Sequence, residues 1–463
     1  MSTTLSENFL AVRSRSQHDI LTQLGHGLKK QAEENRKNLL PIIETIFFCG
    51  RQEVPLRDTD DSGPINMSEV LPFKNDGNFR ALLRMKAKCG DAALRAHMET
   101  SPANALYTSP KIQNELITLC GKIIQRKIVE NVNSSSCFSV LADEATDISR
   151  TAHISLCVKY VGHDTSGVPI LKEDFVDFVP VYDLTGKALA STILNSLRGH
   201  GFDLNLLRGQ GYDGAASMSG HLNGVQAFIR QTAPKALKRA SEETEFIKIF
   251  LKSLSLLKIT NVEMALPPIT GRQRQRSNVP SATPEEYYRR NVYLPLLVDF
   301  ENQLRDRFNA HNKVVVGLNT LLPKFCASAS LSDIDDAVQF YLGDIPSANV
   351  IEAEFTLWVN KCCQIEEKNR PACALQALEM CSRDFFPNIH SLLSILATLP
   401  VSTSTPERTF STLRRLKSYL RNHMNNDRLT GLALLSIHRE LQVTPEQVFT
   451  EFRKLPRRKN FLK

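Results

Sequence analysis

The chain has 463 residues, 42% of them hydrophobic and 23% charged, with a net charge of +8. That length allows two or three domains with sizeable cores. No apolar run reaches the ~20 residues of a membrane helix, and the N-terminal stretch is polar and mixed in charge, so neither membrane insertion nor secretion is expected. Ten cysteines are scattered without a C-x-x-C pair, which points to reduced, buried thiols rather than a disulfide framework or a zinc finger.

Taken in order, the chain opens with a polar helical stretch over His18–Phe48 and a surface loop over Arg51–Ser62. A helical pattern follows from Asn78 to Val132, with Phe79, Leu82, Leu83, Ile112, Leu116, Ile117, Ile123, Ile124 and Ile128 on its apolar faces. Phe138–Leu141, Ile154–Val161 and Phe175–Val181 are rich in β-branched and aromatic residues and read as strands, the last two joined by a turn over Gly162–Gly167. A helix over Leu184–Leu197, a strand over Leu206–Tyr212 and a helix over Gly224–Thr232 complete an α/β block. From Ala233 to about Cys381 the pattern is helical again, with a capping signal at Thr283-Pro284-Glu285-Glu286 and an exposed, arginine-rich loop before it that contains Arg272, Arg274 and Arg276. Residues Ile389–Leu399 return to the core. The small-polar run Ser402–Thr405 then leads through Pro406 and Glu407 into an amphipathic helix.

Three acidic residues stand where chemistry is conceivable. Asp143 follows the apolar run Phe138–Leu141, Asp213 lies in Gly209-Gln210-Gly211-Tyr212-Asp213-Gly214, and Glu407 opens a helix. On the residues alone, the aspartates are strand-end turns or caps, and Glu407 is an acidic first turn facing water. Arg408, Arg414, Arg415, Lys417 and Arg421 line one helix as a solvated face, and a further basic cluster (Arg453, Lys454, Arg457, Arg458, Lys459) lies near the end. The basic excess permits contact with nucleic-acid phosphates without requiring it. Other motifs carry less. Gly186-Lys187 has no P-loop glycine ahead of it, and His390 with Cys373 and Cys381 fits no zinc spacing.

The run Ser402–Ser411, followed by Leu413–Arg421, Asn425–Leu429 and Leu432–His438, resembles the C-terminal signature of the hAT transposase superfamily. Asn75–Leu83 and Ile112–Ile117 are similar to the N-terminal helical region of hAT-derived proteins of the zinc-finger MYM and TTF-type group. The resemblance implies an α/β fold: an RNase H-like core interrupted by an all-helical insertion, with a helical N-terminal region and a helical C-terminal dimerisation segment. The expected division is 1–132, 133–232, 233–384, 385–445 and a basic tail, 446–463. It also implies that Asp143, Asp213 and Glu407 match an Asp-Asp-Glu triad holding two Mg²⁺ or Mn²⁺ ions for phosphoryl transfer on DNA. Leu413, Leu416, Leu420, Leu429, Leu432, Leu435 and Ile437 would form the homodimer surface. The implied setting is nuclear, with DNA as a further partner and no membrane. Two features of the family are missing here: a Cys-x-x-His segment after the second aspartate and an Arg-Trp pair in the insertion, the only tryptophan being Trp358. A deletion across both would leave a transposon-derived dimer with degraded chemistry. The alternatives are an active transposase and a nuclear protein-binding adaptor.

Overall fold

The computed structural model describes residues 20–58, 60–61, 63–68, 72–212, 218, 224–237, 312–417 and 424–455. Four helices come first: α1 (Ile20–Arg51), α2 (Asn78–Lys88), α3 (Ala92–Thr100) and α4 (Pro110–Ser134). The start of α4 has a local cause. Pro110 at the first helical position has a preset φ, and the Ser109 hydroxyl accepts from the Ile112 N–H.

The sheet follows. β1 (Phe138–Thr146), β2 (Ala152–His163) and β3 (Pro169–Val181) form an antiparallel meander. The chain then crosses through α5 (Gly186–His200) to β4 (Leu207–Gly211), which lies parallel to β1, so the strand order is β3-β2-β1-β4. All five residues of β4 are buried, including Arg208, which is ion-paired to Asp344, and Gln210, whose side-chain amide donates to the Ala236 carbonyl at 2.9 Å. Gly209 and Gly211 are required there, because a Cβ would lie 2.9 Å from Pro400 Cδ at Gly209 and 2.7 Å from Pro400 Cβ at Gly211. The loop that leads to Glu407 is thereby pressed onto β4. α5 is capped at its start by Thr185 and stopped by Gly201 at φ 94°, a left-handed position that suits glycine.

After α6 (Val225–Thr232) the described chain resumes with α7 (Asn312–Thr320), α8 (Pro323–Cys326), α9 (Asp335–Phe340), α10 (Ile351–Cys363), α11 (Ala374–Met380) and α12 (Pro387–Thr398). These pack around the fully buried Trp358, whose indole N–H donates to the Leu321 carbonyl at 2.9 Å. The capping signal at 283–286 and the arginine-rich loop lie outside the described residues. The last elements are α13 (Ser404–Leu416), α14 (Asn426–Ile437) and α15 (Pro445–Phe452), the last opened by a Thr444/Gln447 capping box.

Two apolar clusters hold these elements. One joins α1–α4, the sheet and α13–α15 in a continuous core, so the N-terminal helices share their interior with the α/β block. The other lies among α7–α12 and reaches Cys137 and Leu237. The result is a mixed α/β fold built on a single four-stranded mixed sheet among the described residues. No described helix is long and apolar enough to cross a membrane.

Candidate functional site

β1 runs past the apolar stretch that defines it in sequence. Its first five residues are buried, and the change to partial exposure begins at Asp143, which is paired in register with Ser155 of β2. Asp143 is therefore inside the strand, at the point where the core stops. One of its carboxylate oxygens accepts from the Glu144 N–H at 2.8 Å.

α13 is anchored across this end of the sheet by a buried hydroxyl pair. Thr409 donates to the Pro406 carbonyl at 2.7 Å, so Ser155 donates to Thr409 Oγ1 at 2.6 Å. That contact fixes the first turn of the helix over β2 and leaves Glu407 exposed beside it. Asp143 and Glu407, 264 positions apart, line one cleft of about 330 Å³ together with Glu144, Asp147, Arg414 and Lys417. Asp213 lies outside the described residues. β4, which precedes it in the sequence, ends at Gly211, paired with Leu141 of β1.

Asp147 has a different task. Its side chain is 1% exposed and ion-paired to Lys417, itself 6% exposed. It also accepts from Ser149 Oγ at 2.6 Å and the Thr151 N–H at 2.9 Å, and His153 Nε2 lies 3.1 Å away. Burial alone would raise its pKa, but the Lys417 ammonium and these donors outweigh it and hold the carboxyl well below the usual carboxylate range. Burial, then Lys417, push His153 below its ordinary value. Lys417 thus departs from the expected solvated face, because the chain turns inward at the end of α13 and sets it against a buried carboxylate.

The leucines expected to face a partner are corrected by the same packing. Leu413, Leu416, Leu429, Leu432 and Leu435 lie within the main core, and Ile437 packs against it half-buried. α14 meets α1, α4, α13 and β3, so its apolar face is covered by the chain itself. Leu420 lies outside the described residues.

Residues 4–224 match the family model described as ZMYM1/FAM200, RNase-like domain, and residues 369–441 match the hAT family C-terminal dimerisation region. The chain is a hAT-superfamily transposase-derived protein. Both α13 and α14 lie inside the matched dimerisation region, and β1 to β4 lie inside the RNase-like match. This hAT-derived chain is similar to the 52 kDa repressor of the inhibitor of the protein kinase from Homo sapiens, 20% identical over 591 residues, covering 90% of this chain and 76% of the relative. It is similar to the Mus musculus protein of that name at 19% over 592 residues, with the same coverage. An aligned span of 591 residues exceeds the whole of this 463-residue chain, so the relative carries segments with no counterpart here.

Proposed function

We propose that this hAT-derived protein is a self-associating nuclear protein that keeps the acidic cleft of a transposase and has lost strand transfer. The observation that carries this reading is a contrast. The cleft with Asp143 and Glu407 persists, while the chain is shorter than the span over which it aligns with its relatives. The missing Cys-x-x-His and Arg-Trp features fit a deletion of that kind, and 233–384 is then a reduced helical insertion. A repressor among the relatives is compatible with a role in binding partners rather than in cutting DNA.

The donor set suits a hard divalent cation, since Asp143 and Glu407 offer carboxylate oxygens to one volume, with Asp213 as the third member of the triad. When bound, Mg²⁺ or Mn²⁺ would supply positive charge for activating an attacking oxygen and stabilising a leaving one. The chain's own contribution is positional. The Ser155–Thr409 contact holds Glu407 over β1, and Lys417 is committed to Asp147.

Calorimetric titration of Mn²⁺ should show uptake that Asp143→Asn removes, while oligonucleotides bearing transposon ends should give no joined product. Joined product that disappears in Glu407→Gln would overturn the loss of chemistry and favour the active-transposase reading. Absence of Mn²⁺ uptake in the wild type would remove the cleft as an ion site.

Self-association through residues 369–441 has to use side chains other than the buried leucines. Phe385 is 78% exposed in that region, and aromatic side chains are enriched at protein–protein interfaces. Light scattering should give twice the chain mass for the wild type and the single-chain mass for Phe385→Asp. A monomeric wild type would end the dimer proposal. Leu432→Asp and Leu435→Asp would instead bury a charge in the core and unfold the protein.

A further inference from the structure

On the face of the sheet edge away from the cleft residues, three metal-type donors converge. Asp174 on β3, His438 directly after α14 and Glu440 two residues on place ligand atoms within 4.8 Å of one another. His438 Nδ1 lies 3.9 Å from Asp174 Oδ1 and 3.5 Å from Glu440 Oε1. Ligands at ~2.0–2.1 Å from a tetrahedral Zn²⁺ stand ~3.3–3.4 Å apart, so small side-chain adjustments would close the set around an ion.

The surroundings orient two of the three donors. His438 is buried, and its Nε2 sits 2.7 Å from the Phe175 carbonyl. A carbonyl can only accept, so Nε2 carries the hydrogen, and in the neutral ring the lone pair is on Nδ1, the nitrogen facing both carboxylates. The Tyr160 hydroxyl donates to Asp174 Oδ2 at 2.8 Å, leaving Oδ1 as the oxygen toward His438. Backbone carbonyls and hydroxyls in these positions are the outer partners that hold metal ligands in place. Glu440 has a side chain 69% exposed, which gives the site access to solvent.

We propose that Asp174, His438 and Glu440 form a binding site for a Zn²⁺-class divalent metal that clips the end of the dimerisation region to the edge strand β3. With three protein donors and an exposed side, the fourth position is open to water or to a group from another molecule. The same carboxylates raise the His438 pKa against the effect of burial, so a proton is the rival occupant of Nδ1. Lys172 also acts on Glu440 and is the nearby cation a metal would compete with. The site joins residues 264 positions apart and shares none with the Asp143–Glu407 cleft, so it stands or falls independently of the proposed function.

The test is calorimetric titration of ZnCl₂ into the full chain at neutral pH, with a thermal melt in parallel. One ion per chain is expected, with a rise in melting temperature, since a ligand that binds only the native state stabilises it. Glu440→Gln alters an exposed side chain and keeps the fold, and it should weaken binding at least tenfold and remove the thermal shift. Asp143→Asn should leave both unchanged. No uptake overturns the site and leaves His438 as a buried side chain between two carboxylates. Uptake indifferent to Glu440→Gln also overturns it and assigns the ion to exposed thiols such as Cys363 and Cys373.

Discussion

Asp147→Asn is expected to lower the unfolding free energy by about 3–5 kcal/mol, because it leaves the Lys417 ammonium buried without its counter-charge. Both side chains are almost wholly removed from water. An asparagine keeps the shape and can still accept from Ser149 and Thr151, so the loss isolates the charge. Lys417→Met should cost less, since the carboxylate retains those two donors and His153. The double variant should be more stable than the sum of the single losses predicts, as expected for groups in direct contact. Urea unfolding of the four proteins measures the cycle. The pH dependence has a definite sign. Asp147 titrates lower in the fold than its ordinary ~3.9. Its contribution is therefore complete above that value and is lost as pH falls through the folded pKa. His153, depressed below its ordinary ~6.5, acts in the same direction, because acid protonates the unfolded chain first. Wild-type stability should therefore fall on acidification, and the acid limb should be flatter in Asp147→Asn. Wild-type stability of Asp147→Asn at neutral pH would show that the pair contributes nothing net.

The elements that position the cleft were legible where local pattern and tertiary packing agree. The runs at 138–141, 154–161 and 175–181 are all within strands, and the helix read over 184–197 is α5 with its boundaries moved by three residues or fewer. Asp143 was legible as a break from apolar to acidic residues, but β1 continues to Thr146 because β2 pairs with it as far as Ala152. No local rule states that length. Glu407 was found through a motif, whereas its nearness to Asp143 follows from Thr409 meeting Ser155, a contact between residues 254 positions apart. Side-chain destination was the weaker inference. An amphipathic stripe such as Leu429, Leu432 and Leu435 reports that a face is covered without saying by what, and here α1, α4 and β3 cover it. Lys417 carries the same composition signal as its exposed neighbours Arg414 and Arg415, and only the buried Asp147 sets it apart. The Asp174–His438–Glu440 cluster had no signal, because a histidine after a helix and an aspartate in a strand are ordinary when read singly.

Gly431→Val is expected to lower stability by about 3 kcal/mol or more through overpacking. Gly431 of α14 lies against α4, where an added Cβ would come 2.6 Å from the Ile117 carbonyl oxygen and 2.8 Å from Ile117 Cγ2. The contact is mutual, since a Cβ on Gly121 would come 2.9 Å from the Gly431 Cα. A flexible side chain could swing away, but a helix carbonyl is fixed by its own ladder, so α14 itself must move. That displacement would pull Leu429, Leu432 and Leu435 from the core and loosen the neighbouring α13, which carries Glu407. Gly431→Ala meets the same obstacle with a smaller group and gains up to ~1 kcal/mol of helix propensity, so it should fall between wild type and valine. Thermal melts should rank wild type, alanine and valine in that order. Mn²⁺ affinity at the cleft, measured below the melt, should follow the same order because Glu407 rides on α13, which packs against the displaced α14. Equal melting temperatures for all three would mean that the two helices stand farther apart than a glycine contact requires, and the route by which the C-terminal region holds Glu407 over β1 would have to run through Thr409 and Ser155 alone.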